Sequence, residues 1–73
     1  MSELEFLKDE YIKVAMQADD TLAYYRACVR FMAHTPCPEL RDSVSALALR
    51  ISEYHDNLSG YLLALQDDIQ AAS

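Results

Sequence analysis

Two long apolar repeats, separated by a short segment with two prolines, constrain the fold of this chain most strongly. In each repeat, apolar or small side chains recur in alternating steps of three and four residues. The first stripe holds Leu4, Leu7, Tyr11, Val14, Ala18, Thr21, Tyr25, Cys28 and Met32, and the second holds Leu40, Val44, Leu47, Ile51, Tyr54, Leu58, Tyr61 and Leu65. Such spacing places side chains on one side of an α-helix that packs lengthwise against another. The period-two alternation of strands is absent, so the sequence predicts an all-α fold, an antiparallel two-helix hairpin with heptad seams.

Local signals indicate where the two helices begin and end. Ser2 followed by Glu5 fits a capping box at the first helix start. The segment HTPCPE ends that helix, because a residue before proline avoids the α conformation, and Pro38 suits the first position of the next. We expect a single domain, residues 1–73, with helices at about 3–34 and 38–71 and a turn at 35–38.

Two segments favour a helix break. Asp20 is a good N-cap residue, and the stretch Asn57–Gly60 contains poor helix formers. Both stripes nevertheless pass through these segments in phase, which favours two uninterrupted helices over the alternative of three or four shorter ones. In the resulting hairpin, residue x pairs with roughly 73 minus x, so that small Ala18 is expected to face large Tyr54.

Apolar residues beside the two stripes predict self-association. They are Ala15, Leu22, Val29, Ala48, Leu62 and Ile69. Two helices alone cannot enclose a core, and a chain of 73 residues is short for a self-sufficient fold. The simplest closure is a homodimer that forms a four-helix bundle; a higher oligomer and an obligate hetero-complex are the alternatives. A self-sufficient monomer would require the helices to break and fold over.

Five further apolar residues are candidates for binding a partner protein. Phe6, Tyr24 and Phe31 project in similar directions from the first helix, and Leu49 and Leu63 lie on the outer face of the second. They are expected to contact either a second protomer or a different protein.

The charges are unevenly distributed along the chain. The net charge is −6, and both terminal segments are acidic whereas the middle segment holds Arg26, Arg30, Arg41 and Arg50. A hairpin therefore has an acidic terminal end and a mildly basic turn end. The acidic balance argues against binding to nucleic acid or to membrane surfaces, and an acidic end could steer a basic protein or imitate a nucleic-acid backbone. An alternative function is sequestration of a small anionic, nucleotide-like ligand between protomers by Arg26 and Arg30 among the nearby tyrosines.

The sequence lacks motifs of catalysis or cofactor binding. A single glycine excludes a glycine-rich phosphate loop. Cys28, His34 and Cys37 match no common zinc spacing, and His55 and Asp56 are adjacent, so they point about 100° apart on a helix. We expect no enzymatic activity, no cofactor and no metal site.

Other absences concern the location of the chain. Two cysteines without a disulfide framework, and no apolar run near 18 residues, predict a cytoplasmic, reducing setting with no membrane partner. The expected function is that of a small acidic protein-interaction module, which oligomerises and binds a partner protein as an adaptor, a chaperone-like subunit or an inhibitor.

Overall fold

The computed structural model describes residues 2–73 and confirms the predicted helical hairpin. Helix α1 spans Glu3–His34 and helix α2 spans Pro38–Ala72, with three residues between them. The hairpin measures 53 × 15 × 14 Å. Both helices continue through the segments Asp19–Asp20 and Asn57–Gly60, so the alternative of three or four shorter helices is wrong.

Hydrogen bonds at the helix ends account for the boundaries. The Glu5 backbone N–H donates to the Ser2 side-chain oxygen at 3.2 Å, which caps α1. At the other end, Thr35 is extended, and its N–H donates to the Phe31 carbonyl at 2.9 Å. The Arg41 guanidinium donates to the Thr35 carbonyl at 2.8 Å and braces the turn from the α2 side. Cys37 occupies the α2 N-cap position without a side-chain hydrogen bond, and Pro38 begins the helix, as predicted.

The core is a narrow line between the helices. Val14, Ala18, Leu58 and Leu65 form a buried cluster, against which half-buried apolar side chains pack, namely Leu7, Tyr11 and Leu62. Within residues 2–73, no large side chain has less than 2% of its surface exposed. Contact between α1 and α2 therefore buries one stripe of each helix and leaves the two broad faces of the hairpin to solvent.

The stripe that α2 buries differs from the predicted one at every second position. Leu40, Leu47, Tyr54 and Tyr61 are about half exposed. The predicted core places of Leu47, Tyr54 and Tyr61 are taken by the next residues along the chain, Ala48, His55 and Leu62, and Ile69 continues this line. The line Val44, Ile51, Leu58 and Leu65 completes a three-four repeat with either set, so spacing alone cannot choose between them.

Packing between the helices explains why Ala48 and His55, and not Leu47 and Tyr54, face α1. Small Ala48 is buried at 5% exposure and lets the helices approach closely, whereas Leu47 would hold them apart. His55 reaches Ala18 across the interface, so the expected pair of Ala18 with Tyr54 is wrong by one residue. The predicted pairing of residue x with roughly residue 73 minus x is confirmed, because 18 and 55 sum to 73.

Candidate protein-interaction surface

One broad side of the hairpin carries six large, exposed apolar side chains, which we call the apolar face. Four follow one line along α2 at seven-residue spacing, and two lie on α1 with the same spacing. The six are Leu40, Leu47, Tyr54 and Tyr61 of α2 and Tyr24 and Phe31 of α1, and each exposes between 43% and 64% of its surface. A spacing of seven residues is two helical turns, so the side chains of each line point in one direction along a supercoiled helix.

A depression near the chain termini shows that the two lines border the same side of the hairpin. Glu3 and Asp68 line it together with Leu7, Ala71 and Ala72. Glu3 belongs to the α1 line, because Tyr24 and Phe31 follow it by multiples of seven residues. Asp68 extends the α2 line, seven residues after Tyr61. The six apolar side chains therefore form one surface, which becomes acidic toward the terminal end.

The two lines are staggered along the hairpin. His55 of α2 contacts both Ala18 and Thr21 of α1, so level residues of the two helices have numbers that sum to between 73 and 76. Phe31 is therefore level with the gap between Leu40 and Leu47. Tyr24 is level with the gap that follows, between Leu47 and Tyr54. The staggered side chains leave spaces between them, the geometry into which a second set of side chains can insert.

The opposite side of the hairpin has a different character. Tyr25, Leu49, Ser45 and Ser52 line a shallow depression there, together with Asp42, Ala46 and Ala48. Ser59 continues the serine line along α2, and its hydroxyl donates to the His55 carbonyl at 3.0 Å. On this side the α2 residues are mainly serines and alanines, whereas the α2 line of the apolar face consists of leucines and tyrosines.

The five residues predicted to bind a partner do not lie on one surface of the hairpin. All five are exposed, at 58% for Phe6, 64% for Tyr24, 43% for Phe31, 62% for Leu49 and 64% for Leu63. Tyr24 and Phe31 belong to the apolar face, but Phe6 lies about 27 Å from Tyr24 along α1. Leu49 borders the serine-lined depression on the other side, and Leu63 follows it on the same α2 line.

Sequence reasoning missed most of the apolar face. The heptad repeat predicts Leu40, Leu47, Tyr54 and Tyr61 in the core between the helices and not on a binding surface. Their seven-residue spacing was the available signal. The same spacing occurs in lines that are buried within a hairpin and in lines that pack against another chain.

The two arginines predicted to hold an anion lie apart from the apolar face. Both are exposed. Arg26 follows Tyr24 by two residues, which places the two side chains about 200° apart around α1. Arg30 lies midway between the half-buried Cys28 and Met32, and therefore on the outer side of the helix. The structure does not bring either guanidinium to the tyrosine–phenylalanine line.

A hydrogen-bonded group near the middle of the hairpin connects the two helices. The His55 Nδ1 atom lies 3.0 Å from the Thr21 hydroxyl oxygen and 3.1 Å from the Ala18 carbonyl oxygen. Because a carbonyl can only accept, Nδ1 must carry the proton and donate. The Thr21 hydroxyl donates to the same carbonyl at 2.8 Å. The His55 imidazole thereby links α2 to α1.

Metal-ligating side chains, thiols and apolar stretches of the described residues complete the picture of the surface. Among residues 2–73, no three His, Cys, Asp or Glu side chains gather closely enough to hold a metal ion. Cys28 and Cys37 are both free thiols. Over the same residues, neither helix has an apolar stretch long enough to cross a membrane.

Comparison with known proteins gives no indication of function. No protein-family model, curated protein sequence or solved structure matches the chain. The function must therefore be inferred from the side chains that the hairpin exposes.

Proposed function

We propose that the chain is a small, acidic, non-enzymatic protein-interaction module, which self-associates through its apolar face and binds a partner protein. One observation carries this proposal: most of the large apolar side chains lie outside the core. Among residues 2–73, five apolar residues are buried, two of them alanines, whereas thirteen large apolar residues expose 38% or more of their surface. Single exposed apolar residues are ordinary, but a continuous face of six is typical of an interface.

The free energy available on this face supports association. Full burial of a leucine or phenylalanine contributes roughly 1.5–3 kcal/mol, so covering large apolar side chains that are half exposed contributes about 1 kcal/mol each. Six such side chains on each of two protomers give about 12 kcal/mol, from which the loss of translational and rotational freedom must be subtracted. That loss is about 4–15 kcal/mol, so burial of the apolar face is of the size that association needs.

The remaining exposed apolar residues suit a second, different protein. Phe6, Leu49 and Leu63 lie outside the apolar face and stay accessible when that face is covered. The acidic terminal end, with Glu3 and Asp68, would steer a basic surface toward Phe6, which lies near that end. A bundle with such accessible residues can act as an adaptor, a chaperone-like subunit or an inhibitor.

Two leucines of similar exposure provide a matched test. Leu47 lies on the apolar face and Leu49 on the opposite side, at 50% and 62% exposure. Substitution by serine changes helix propensity equally at both positions. We expect Leu47→Ser to weaken self-association about tenfold to a hundredfold, because a symmetric interface loses the side chain twice, and Leu49→Ser to leave it unchanged. Sedimentation equilibrium measures both constants, and equal effects would contradict an interface on the apolar face.

A further inference from the structure

We infer that the occupant of the apolar face is a second copy of this chain, whose turn lies at the opposite end of the assembly. The inference rests on the proposed function and specifies its interface. In this arrangement a two-fold axis crosses the interface at the level of Tyr24, so that α1 packs on α1 of the other copy and α2 on α2. The result is a four-helix bundle in which neighbouring helices run antiparallel.

The size of the face fits a second copy. The hairpin is 53 Å long and 15 Å wide, and the proposed arrangement overlaps the two copies over about 40 Å, which covers roughly 600 Å² on each, at the lower end of the range for stable interfaces. A two-fold interface uses the same face of both copies, so one chain can supply both halves.

The four apolar side chains of the α2 line are centred on the level of Tyr24, through which the proposed two-fold axis passes. Along α2, the midpoint of the line from Leu40 to Tyr61 falls between Leu47 and Tyr54, which is also the level of Tyr24. Rotation about an axis at this level places Leu47 of one copy beside Tyr54 of the other. Leu40 similarly meets Tyr61, and Tyr24 meets Tyr24. Each large apolar side chain of the α2 line thus contacts an apolar side chain.

Carboxylates decide between the two possible orientations. If both turns lay at the same end, the apolar area covered would be similar, but Glu3, Glu10 and Asp68 of both copies would face one another. Six carboxylates on facing surfaces oppose association strongly, because like charges come together where water is partly excluded. With the turns at opposite ends, Glu3 and Asp68 extend beyond the other copy into solvent. Glu10 then reaches the level of the other turn, where Arg41 lies.

The separation between the two turns tests this arrangement directly. A nitroxide label on Cys37, in a Cys28→Ala background, reports the distance between the copies by double electron–electron resonance. At 1.5 Å per residue, the proposed axis places the two Cys37 positions on the order of 40 Å apart. The same-end orientation would bring them within about 20 Å, because packed helices lie 8–10 Å apart. A labelled Ser73→Cys, in a chain without other cysteines, gives the corresponding distance at the terminal end, and we expect it to be longer than 40 Å.

Each outcome of the labelling experiment has a defined meaning. One long distance at each site supports the proposed orientation. Short distances at both sites overturn the orientation but leave self-association through the apolar face intact. Absence of dipolar coupling, together with a folded species of 8.3 kDa in light scattering, would overturn both the second copy and the proposed self-association. Circular dichroism of each labelled variant checks that the hairpin is still folded.

Discussion

His55 and Thr21 form the polar link between the two helices, with 3.0 Å between the imidazole Nδ1 atom and the hydroxyl oxygen. The link lies within an otherwise apolar interface, and Thr21 is buried at 8% exposure. If α2 were shifted by one turn along α1, the Thr21 hydroxyl and the His55 imidazole would no longer be in contact. We therefore expect this pair to fix the register of the hairpin, as single polar residues do in coiled coils.

A double-mutant cycle tests the pair. Thr21→Val removes the hydroxyl with little change in volume, and His55→Leu removes the imidazole. We expect each single variant to lose about 1 kcal/mol in the free energy of unfolding, and the double variant to lose about 0.5–1 kcal/mol less than the sum, because the contact between the two side chains is lost in each single variant but can be lost only once. Urea denaturation at one fixed protein concentration measures all four free energies. Strict additivity would show that the two side chains act independently.

Truncation of Leu65 should destabilise the hairpin, whereas truncation of nearby Leu63 should not. Leu65 is 4% exposed within the buried cluster, whereas Leu63 is 64% exposed. Truncation of a buried leucine to alanine costs about 2–5 kcal/mol, so Leu65→Ala is expected to leave the hairpin largely unfolded. Leu63→Ala should change the free energy of unfolding by less than about 0.5 kcal/mol. Thermal melting followed by circular dichroism distinguishes the two, and similar losses would contradict the observed helix orientation.

Gly60 offers a stabilising substitution. It lies inside α2 without a positive φ angle, and a methyl group at its Cα atom would meet nothing within 4 Å. Alanine is favoured over glycine in a helix interior by about 0.8–1 kcal/mol, chiefly because it restricts the unfolded chain. Gly60→Ala should therefore raise the midpoint of thermal unfolding. A lower midpoint would indicate that glycine is needed for close contact with another molecule at this position.

The N-cap of α1 should contribute measurably. The Ser2 side chain accepts from the Glu5 N–H, whereas Ser43 is exposed in the first turns of α2. We expect Ser2→Ala to lose about 1 kcal/mol in the free energy of unfolding, because a backbone donor loses its partner. Ser43→Ala serves as the control and should be neutral or slightly stabilising. Chemical denaturation of both variants gives the comparison, and a neutral Ser2→Ala would mean that the cap is redundant.

The helices could be predicted from the sequence because their signals are local. The repeat of three and four residues, the cap at Ser2 and the prolines around Cys37 each act within a few positions, and they place the helix ends within one residue of those observed. Continuity through Asn57–Gly60 followed from the phase of the repeat, which an interruption would have shifted.

The apolar face could not be predicted in the same way. Leu47 and Ala48 both complete a heptad repeat with Val44 and Ile51, and hydrophobicity alone favours the larger side chain. The choice depends on how closely the backbones approach and on the contact between His55 and Ala18, which are properties of the packed pair. The residues that sequence reasoning placed inside are consequently the ones now proposed to bind a second copy.

The mass of the folded chain in solution tests the central claim most directly. Multi-angle light scattering across a concentration series, with circular dichroism on the same samples, reports association and helicity together. We expect a helical species with twice the chain mass of 8.3 kDa, which dissociates and loses helicity on dilution. A stable, fully helical species of 8.3 kDa at all concentrations would contradict the proposal that the apolar face is an interface.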